Sequence, residues 1–200
     1  MEIPLNGLLL AGGKSSRMGR DKASMVLGPD GLTQARRCLG LLLPFCQRVY
    51  LSLREGQSVP EGGAGFPVVR DSGEARGPLR GILTAFREDS AAAWLVVACD
   101  LPFVTAGILS RLVERHRAEP LDPFVAYANP PDGLPEPLCA IYGPAAFALL
   151  QRHAALGNFS PGRIMREENA ALLDLPPGGQ AALANINTPQ DLEPLGARPR

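Results

Sequence analysis

Leu8-Leu9-Leu10-Ala11-Gly12-Gly13-Lys14-Ser15-Ser16-Arg17-Met18-Gly19-Arg20-Asp21-Lys22 sets an apolar run against two glycines, then a polar stretch with five charged side chains. A strand of this kind delivers a glycine-rich, cation-rich loop to one point in space. The chemistry it suits is the holding of phosphates. Glycine lets backbone N–H groups approach an anion, and Lys and Arg neutralise it. Two carboxylates stand at comparable exits. Asp71 follows the apolar run Phe66–Val69 and Arg70, and Asp100 ends the run Trp94-Leu95-Val96-Val97-Ala98-Cys99 before Leu101-Pro102 turns the chain away. A hard oxygen ligand at the Asp100 exit suits Mg²⁺, which binds through one or two carboxylates and the phosphates of a substrate. As ordinary structure, Asp71-Ser72-Gly73 is a turn and Asp100 a helix cap.

The spacing argues against the commonest phosphate loop. A P-loop reads G-x-x-x-x-G-K-[ST]. Gly13-Lys14-Ser15 supplies its end, but Leu8 stands where the first glycine belongs and Gly7 is one position too far away. The dinucleotide signature G-x-G-x-x-G is absent from this loop as well. Gly77, Pro78 and Gly81 cluster at a helix start, where they allow close backbone approach and an early-helix proline. Asn185 and Asn187 alternate on an extended segment before Thr188-Pro189, which reads as a capped helix start. His116 and His153 stand beside arginines and read as solvated helix-end residues. Arg111, Arg115 and Arg117 read as a solvated basic face.

These residues need elements to position them. Apolar runs at Leu5–Leu10, Arg48–Leu53, Phe66–Val69 and Ala93–Cys99 read as strands. Helical spacing spans Leu32–Leu43, Gly77–Glu88 and a segment opened by Thr105 that carries Ile108, Leu109, Leu112 and Val113. Later come strands at Phe124–Ala128, Pro137–Tyr142 and Ala171–Leu175, a helix over Pro144–Ala155, a short one opened by Ser160-Pro161 and a closing one at Thr188-Pro189. Alternation of strand and helix predicts an α/β fold with a mostly parallel sheet and helices on both faces. Ligands of such sheets bind beyond the carboxyl ends of the strands. Gly12-Gly13, Asp71 and Asp100 are then expected along one edge.

The 200 residues suit one domain, and 46% apolar content supports a core. A formal net charge of +0 fits neither a nucleic-acid polycation nor an acidic disordered tail. No apolar run approaches the ~20 residues of a membrane span, and the N-terminus does not read as a signal peptide. Cys38, Cys46, Cys99 and Cys139 form no C-x-x-C pair and read as buried reduced thiols. The expectation is a cytoplasmic protein with no nucleic-acid or membrane partner.

The motif L-A-G-G-x-S-x-R-M-G-x-D-K, carried here by Leu10-Ala11-Gly12-Gly13, Ser16, Arg17-Met18-Gly19 and Asp21-Lys22, resembles the nucleotide-binding signature of the molybdenum cofactor guanylyltransferases. The likeness continues in order through Gly77-Pro78-Leu79-Arg80-Gly81, Cys99-Asp100-Leu101-Pro102, Pro135-Glu136-Pro137-Leu138-Cys139-Ala140-Ile141-Tyr142 and Asn185-Ile186-Asn187-Thr188-Pro189-Gln190-Asp191-Leu192. It implies a three-layer Rossmann-like nucleotidyltransferase fold over residues 1–200, with a nucleotide-binding half (1–120) and an acceptor-binding half (121–200).

The resemblance also implies an activity. GMP passes from GTP to the terminal phosphate of molybdopterin, or of molybdenum cofactor, and pyrophosphate leaves. Leu10, Ala11, Gly12, Gly13, Lys22, Ser52, Asp71, Pro78, Leu79, Gly81 and Asp100 would bind the nucleotide. Ser52 stands where family members often carry asparagine. Arg17, Lys22 and Asp100 would serve catalysis, Asp100 would hold Mg²⁺, and of Asn185 and Asn187 one would complete the magnesium shell or hold the acceptor. Transient contact with other cofactor-biosynthesis enzymes or with molybdoenzymes follows from the same likeness. A nucleotidyltransferase using CTP, or another phosphate acceptor such as phospholactate, would carry much the same motifs. So would a nucleotide-binding homologue without catalysis.

Overall fold

The most apolar run of the chain forms the middle of the structure. A computed structural model describes residues 3–13, 22–27, 30–129 and 132–185. β4 (Ala93–Ala98) is buried along its whole length between β1 (Leu5–Leu10) and β6 (Pro135–Tyr142). An unbroken apolar run of this kind marks a strand covered on both faces. With β2 (Val49–Leu53), β3 (Val68–Arg70), β5 (Phe124–Ala128) and β7 (Ala171–Leu173) it forms a seven-stranded sheet in the order β3-β2-β1-β4-β6-β5-β7. Only β6 runs against its neighbours, and every other pairing is parallel.

Two layers of helix close the sheet. α1 (Gln34–Leu42) and α3 (Ala106–Ala118) pack on one face. α2 (Pro78–Glu88), α4 (Ala146–Ala155) and α5 (Pro161–Glu167) pack on the other. Strand alternation divides the core between them. Leu9, Leu95 and Val97 meet Leu39 and Leu112, while Leu8, Trp94 and Val96 meet Ile82 and Phe86. Thr33, Thr105 and Ser160 cap α1, α3 and α5 by accepting from the backbone N–H groups of Arg36, Ile108 and Arg163. α2 starts differently. Gly77 holds φ 57°, which an L side chain rarely adopts, and Pro78 follows at the first helical position.

The expected elements form, with shifts at their ends. The strand expected from Pro137 starts at Pro135, and the one expected to reach Leu175 stops at Leu173. A 3₁₀ turn at Gly179–Leu183 follows β7 and seats Ala182 and Leu183 in the core. Arg17, Asn187 and the helix expected at Thr188-Pro189 lie outside the described residues.

Two expectations are corrected. His116 and His153 are not solvated; they are 3% and 8% exposed. Each continues an apolar helix stripe, His116 after Leu109, Leu112 and Val113, and His153 after Ala146 and Leu150. His153 Nε2 lies 2.7 Å from Glu168 Oε1, which ties α4 to the end of α5. Cys46 is half-buried, whereas Cys38, Cys99 and Cys139 are buried, and no disulfide joins any of the four.

The seat of α2 is tight where it passes the exit of β2. A Cβ on Gly81 would lie 2.5 Å from Ser52 Oγ and 3.0 Å from Leu10 Cδ2. Overpacking of this kind costs about 1–3 kcal/mol, and each kcal/mol is about 2–4 °C for a chain of this size. Gly81→Ala is expected to lower Tm by roughly 5 °C. Ser52→Ala in that background is expected to recover part of the loss, and thermal melts of the two variants check it. A pH effect follows from His116. Burial holds its pKa below the ordinary value, so its stabilising contribution is present above the unfolded pKa and is lost as pH falls. On going from pH 7.5 to 5.5, Tm of His116→Leu is expected to fall less than that of the wild type; equal slopes would assign the proton elsewhere.

Candidate active site

The pairing registers, continued past the strand ends, put the polar exits in one row. Leu10 pairs with Ala98 on β4 and with Ser52 on β2, and Leu53 pairs with Arg70 on β3. Two steps beyond Leu10, Gly12 stands level with Asp100 on one side and Arg54 on the other. One step beyond Leu53, Arg54 stands level with Asp71. Strand spacing of about 4.8 Å makes this row about 14 Å long from Asp71 to Asp100. It crosses the point where the strand order turns back at β1 and β4, the usual place for a ligand in such sheets.

A cleft of ≈ 450 Å³ opens over this row. Of the residues expected to bind nucleotide, Leu10, Gly12, Gly13, Lys22, Ser52, Asp71, Pro78, Gly81 and Asp100 line it. Two others do not. Ala11 is 1% exposed, with its carbonyl taken by Gln57 Nε2 at 3.0 Å, and Leu79 is fully buried in the core under α2. Asn185 is exposed, follows the 3₁₀ turn and is not part of the cleft lining. Among the lining residues only Leu138 comes from the second half of the chain.

Asp100 sits at one end of the row. Its Oδ1 is buried and has no hydrogen-bond partner among the described residues. Burial pushes its pKa above the ordinary value, and the charge of Lys22 opposes that shift. A buried oxygen without a partner, beside an open cleft and a lysine, fits Mg²⁺. That ion needs few protein carboxylates and completes its shell with water and phosphate oxygens. Among the described residues no group of three or more His, Cys, Asp and Glu forms a cage for a metal. Among the described residues the candidate site therefore rests on Asp100. Glu136 lies near it on β6, 6% exposed, and accepts from Leu138 N at 2.8 Å and Asn129 Nδ2 at 3.3 Å.

Asp71 marks the other end. Its Oδ1 accepts from the buried Ser52 Oγ at 2.8 Å. Burial raises its pKa, while the Ser52 hydrogen bond and the charges of Arg80 and Arg54 pull it back. Gly12 is closely approached, because a Cβ there would lie 3.2 Å from Asp71 Oδ2 and 3.3 Å from Arg54 Cγ, so a side chain would make these neighbours give by a few tenths of an ångström. Gly81 meets the same carboxylate from above, its would-be Cβ 3.2 Å from Asp71 Oδ1.

Sequence reasoning missed the cleft's arginines. Arg54, Arg76 and Arg80 join Lys22 on its wall against Asp71 and Asp100. A whole-chain charge of +0 conceals this local excess of cations. The available signal was position: Arg54 follows a strand, and Arg76 and Arg80 flank Gly77-Pro78. Arg76 also stacks over the Phe159 ring at 5.6 Å, which joins the cleft to the segment before α5. The arrangement can seat an anion chain at the Asp100 end and a polar group at the Asp71 end.

Comparison with known proteins places the chain. Residues 7–172 match the MobA-like NTP transferase domain. A probable molybdenum cofactor guanylyltransferase of Chloroflexus aggregans is 30% identical over 208 residues, covering 96% of this chain and 94% of the relative. A molybdenum cofactor biosynthesis bifunctional protein of Synechocystis is 34% identical over 95% of this chain, which spans only 53% of that longer relative. Molybdopterin-guanine dinucleotide biosynthesis protein A of Archaeoglobus fulgidus shares the fold, with a TM-score of 0.75 at 22% identity over 95% of this chain and 96% of that one. The chain belongs to the MobA-like NTP transferase family and is a nucleotidyltransferase of molybdenum cofactor biosynthesis.

Proposed function

We propose that the protein transfers GMP from GTP to the terminal phosphate of molybdopterin or molybdenum cofactor and releases pyrophosphate. The observation that carries this reading is the row of strand exits in which Asp71, Gly12 and Asp100 meet over one cleft with Lys22. The naming of the Chloroflexus aggregans relative, aligned over nearly all of both chains, supports guanylyl transfer in particular.

An oxygen of the acceptor phosphate attacks the α-phosphorus of GTP. One P–O bond forms, and the bond from that phosphorus to the bridging oxygen breaks. The electron pair leaves with pyrophosphate. The acceptor is a phosphomonoester with a second pKa of about 6, so it is ionised at neutral pH and needs no general base. The chain's task is alignment and charge neutralisation. Lys22 and Arg17 stabilise charge that builds on the leaving group. Gly12 and Gly13 admit the nucleotide to the strand edge, and Asp71, Pro78 and Gly81 border its nucleoside end. Asp100 would hold Mg²⁺, which when bound supplies a Lewis acid and a template for phosphate oxygens. Residues 121–200, Asn185 and Asn187 among them, belong to the acceptor side of this reading. Four cysteines with no disulfide among them suit a reducing, cytoplasmic setting.

Pyrophosphate release is expected only when GTP, Mg²⁺ and the pterin acceptor are all present. Release with CTP in place of GTP would change the product, and phosphate release without acceptor would replace the transferase reading with a hydrolase. Asp100→Asn is expected to lose two or more powers of ten in rate, and Lys22→Ala one to two. Asp100→Asn is also expected to keep or raise Tm near pH 7. Burial holds the Asp100 pKa above its ordinary value, so the folded state disfavours the carboxylate once pH exceeds that raised pKa. Normal turnover in Asp100→Asn at saturating Mg²⁺ would remove Asp100 from the site.

A further inference from the structure

Arg54 brings to the cleft wall a side-chain donor that has no hydrogen-bond partner among the described residues. It stands between Asp71 and Gly12 in the row of exits, on the far side of Gly12 from Asp100. Its Cγ lies 3.3 Å from where a Gly12 Cβ would be, so the side chain runs over the glycine. Its Nε is buried and has no hydrogen-bond partner among the described residues. No ion pair joins it to Asp71 or to any other carboxylate among those residues. A buried donor without a partner is costly, and native structures rarely keep one without a reason.

The backbone beneath this side chain is fixed. Arg54 N donates to Gln57 Oε1 at 3.2 Å, and Arg54 O accepts from Arg70 Nη1 at 3.1 Å. Gln57 Nε2 in turn donates to Ala11 O at 3.0 Å, which ties the exit of β2 to the exit of β1. The guanidinium is therefore carried by a held stretch of backbone beside an acceptor-only carboxylate. Asp71 keeps its Oδ2 turned toward Gly12 and the cleft, since Oδ1 is occupied by Ser52.

The ligand group that satisfies both must offer acceptors to an arginine fork and donors to a carboxylate. Guanine has that pattern. Its O6 and N7 accept side by side, and arginine pairs with both at once. Its N1–H and exocyclic amine donate from the adjoining edge. Adenine places an amine donor where guanine has O6, so an arginine there meets a donor instead of an acceptor. Position agrees with chemistry. If the phosphates lie at the Asp100 and Lys22 end, a row about 14 Å long puts the base toward β2 and β3.

We propose that Arg54 is a specificity-determining residue that reads the O6 and N7 edge of guanine, with Asp71 on the adjoining donor edge. This rests on the GTP reading above and goes beyond it by naming the residue that selects the base. Arginine suits the task because its planar fork fixes direction as well as charge, which a lysine does not.

The test is equilibrium binding to the full chain, with Mg²⁺, of GTP, 7-deaza-GTP, ATP and CTP. 7-Deaza-GTP keeps the triphosphate and O6 and lacks only the N7 acceptor. The wild type is expected to prefer GTP over ATP by roughly tenfold to a hundredfold and to bind 7-deaza-GTP several-fold more weakly than GTP. Arg54→Met is expected to lose most of both differences while its affinity for ATP stays nearly the same. Arg54→Lys keeps the charge and the aliphatic stem, and serves if the first variant folds poorly. It is expected to retain triphosphate affinity and lose the sensitivity to N7. Equal weakening toward every nucleotide would make Arg54 a phosphate contact and overturn the proposal, as would a variant that keeps the wild-type discrimination. A wild type that binds CTP best would overturn the guanylyl reading itself, and the Arg54 assignment with it.

Discussion

Parallel hydrogen bonding of β1 to β4, Leu5–Leu10 against Ala93–Ala98, is the alignment on which the cleft depends. It sets Gly12 level with Asp100, and the pairing of β1 with β2 sets the same glycine level with Arg54. A slip of one residue would turn every side chain of a strand to the other face. It would bury Asp100 against α3 or swing it away from the glycine loop. The slip is prevented by the core. Leu8, Trp94 and Val96 fill the layer under α2, and Leu9, Leu95 and Val97 fill the layer under α1 and α3. The hydrophobic effect thus fixes the site without contributing an atom to its chemistry.

Electrostatics then works against stability along the same row. Asp71 and Asp100 are both pushed toward the neutral acid by burial, and neighbouring cations only partly oppose this. A protein selected for stability alone would replace these carboxylates with neutral groups. Their retention fits a site whose balance is completed by a ligand: a cation at Asp100, and hydrogen-bond donors at Asp71. Lys22, Arg76 and Arg80 line the same cleft and carry the opposite charge that the proposed triphosphate would require. Local desolvation of the two carboxylates and the local excess of cations thus occur along one cleft, where partial burial strengthens the interactions between charges.

Much of this was legible in the residues. Apolar runs with turn chemistry at their ends located the strands, and the Gly12, Asp71 and Asp100 exits could be assigned to one edge from alternation alone. What stayed hidden depended on packing between segments distant in sequence. Leu79 belongs to a glycine-proline motif, yet it points into the core because α2 must bury the face that carries Ile82, Leu83 and Phe86. His116 and His153 looked exposed beside their arginines, although helical period put them in line with buried leucines. Arg54 could not be placed without the register of β2 on β1, since nothing in Leu53-Arg54-Glu55 distinguishes a cleft wall from a solvated loop. Arg17 and Asn187 lie outside the described residues, and the roles proposed for them rest on sequence likeness.

The one antiparallel strand has a consequence for how two substrates could share this edge. Every parallel strand brings its carboxyl end to the row, but β6 brings its start. The register that pairs Val97 with Cys139, continued outward, sets Asp100 level with Glu136. Leu138, which follows Glu136 on β6, consequently lines the cleft that Asp100 also lines. On the proposed reading a nucleotide would lie over the exits of β1 to β4, while anything approaching from the other side would meet the entry of β6. The two groups can therefore come from opposite directions and meet at Asp100. That is the geometry an in-line displacement at one phosphorus requires, with the attacking oxygen on one side and the leaving group on the other.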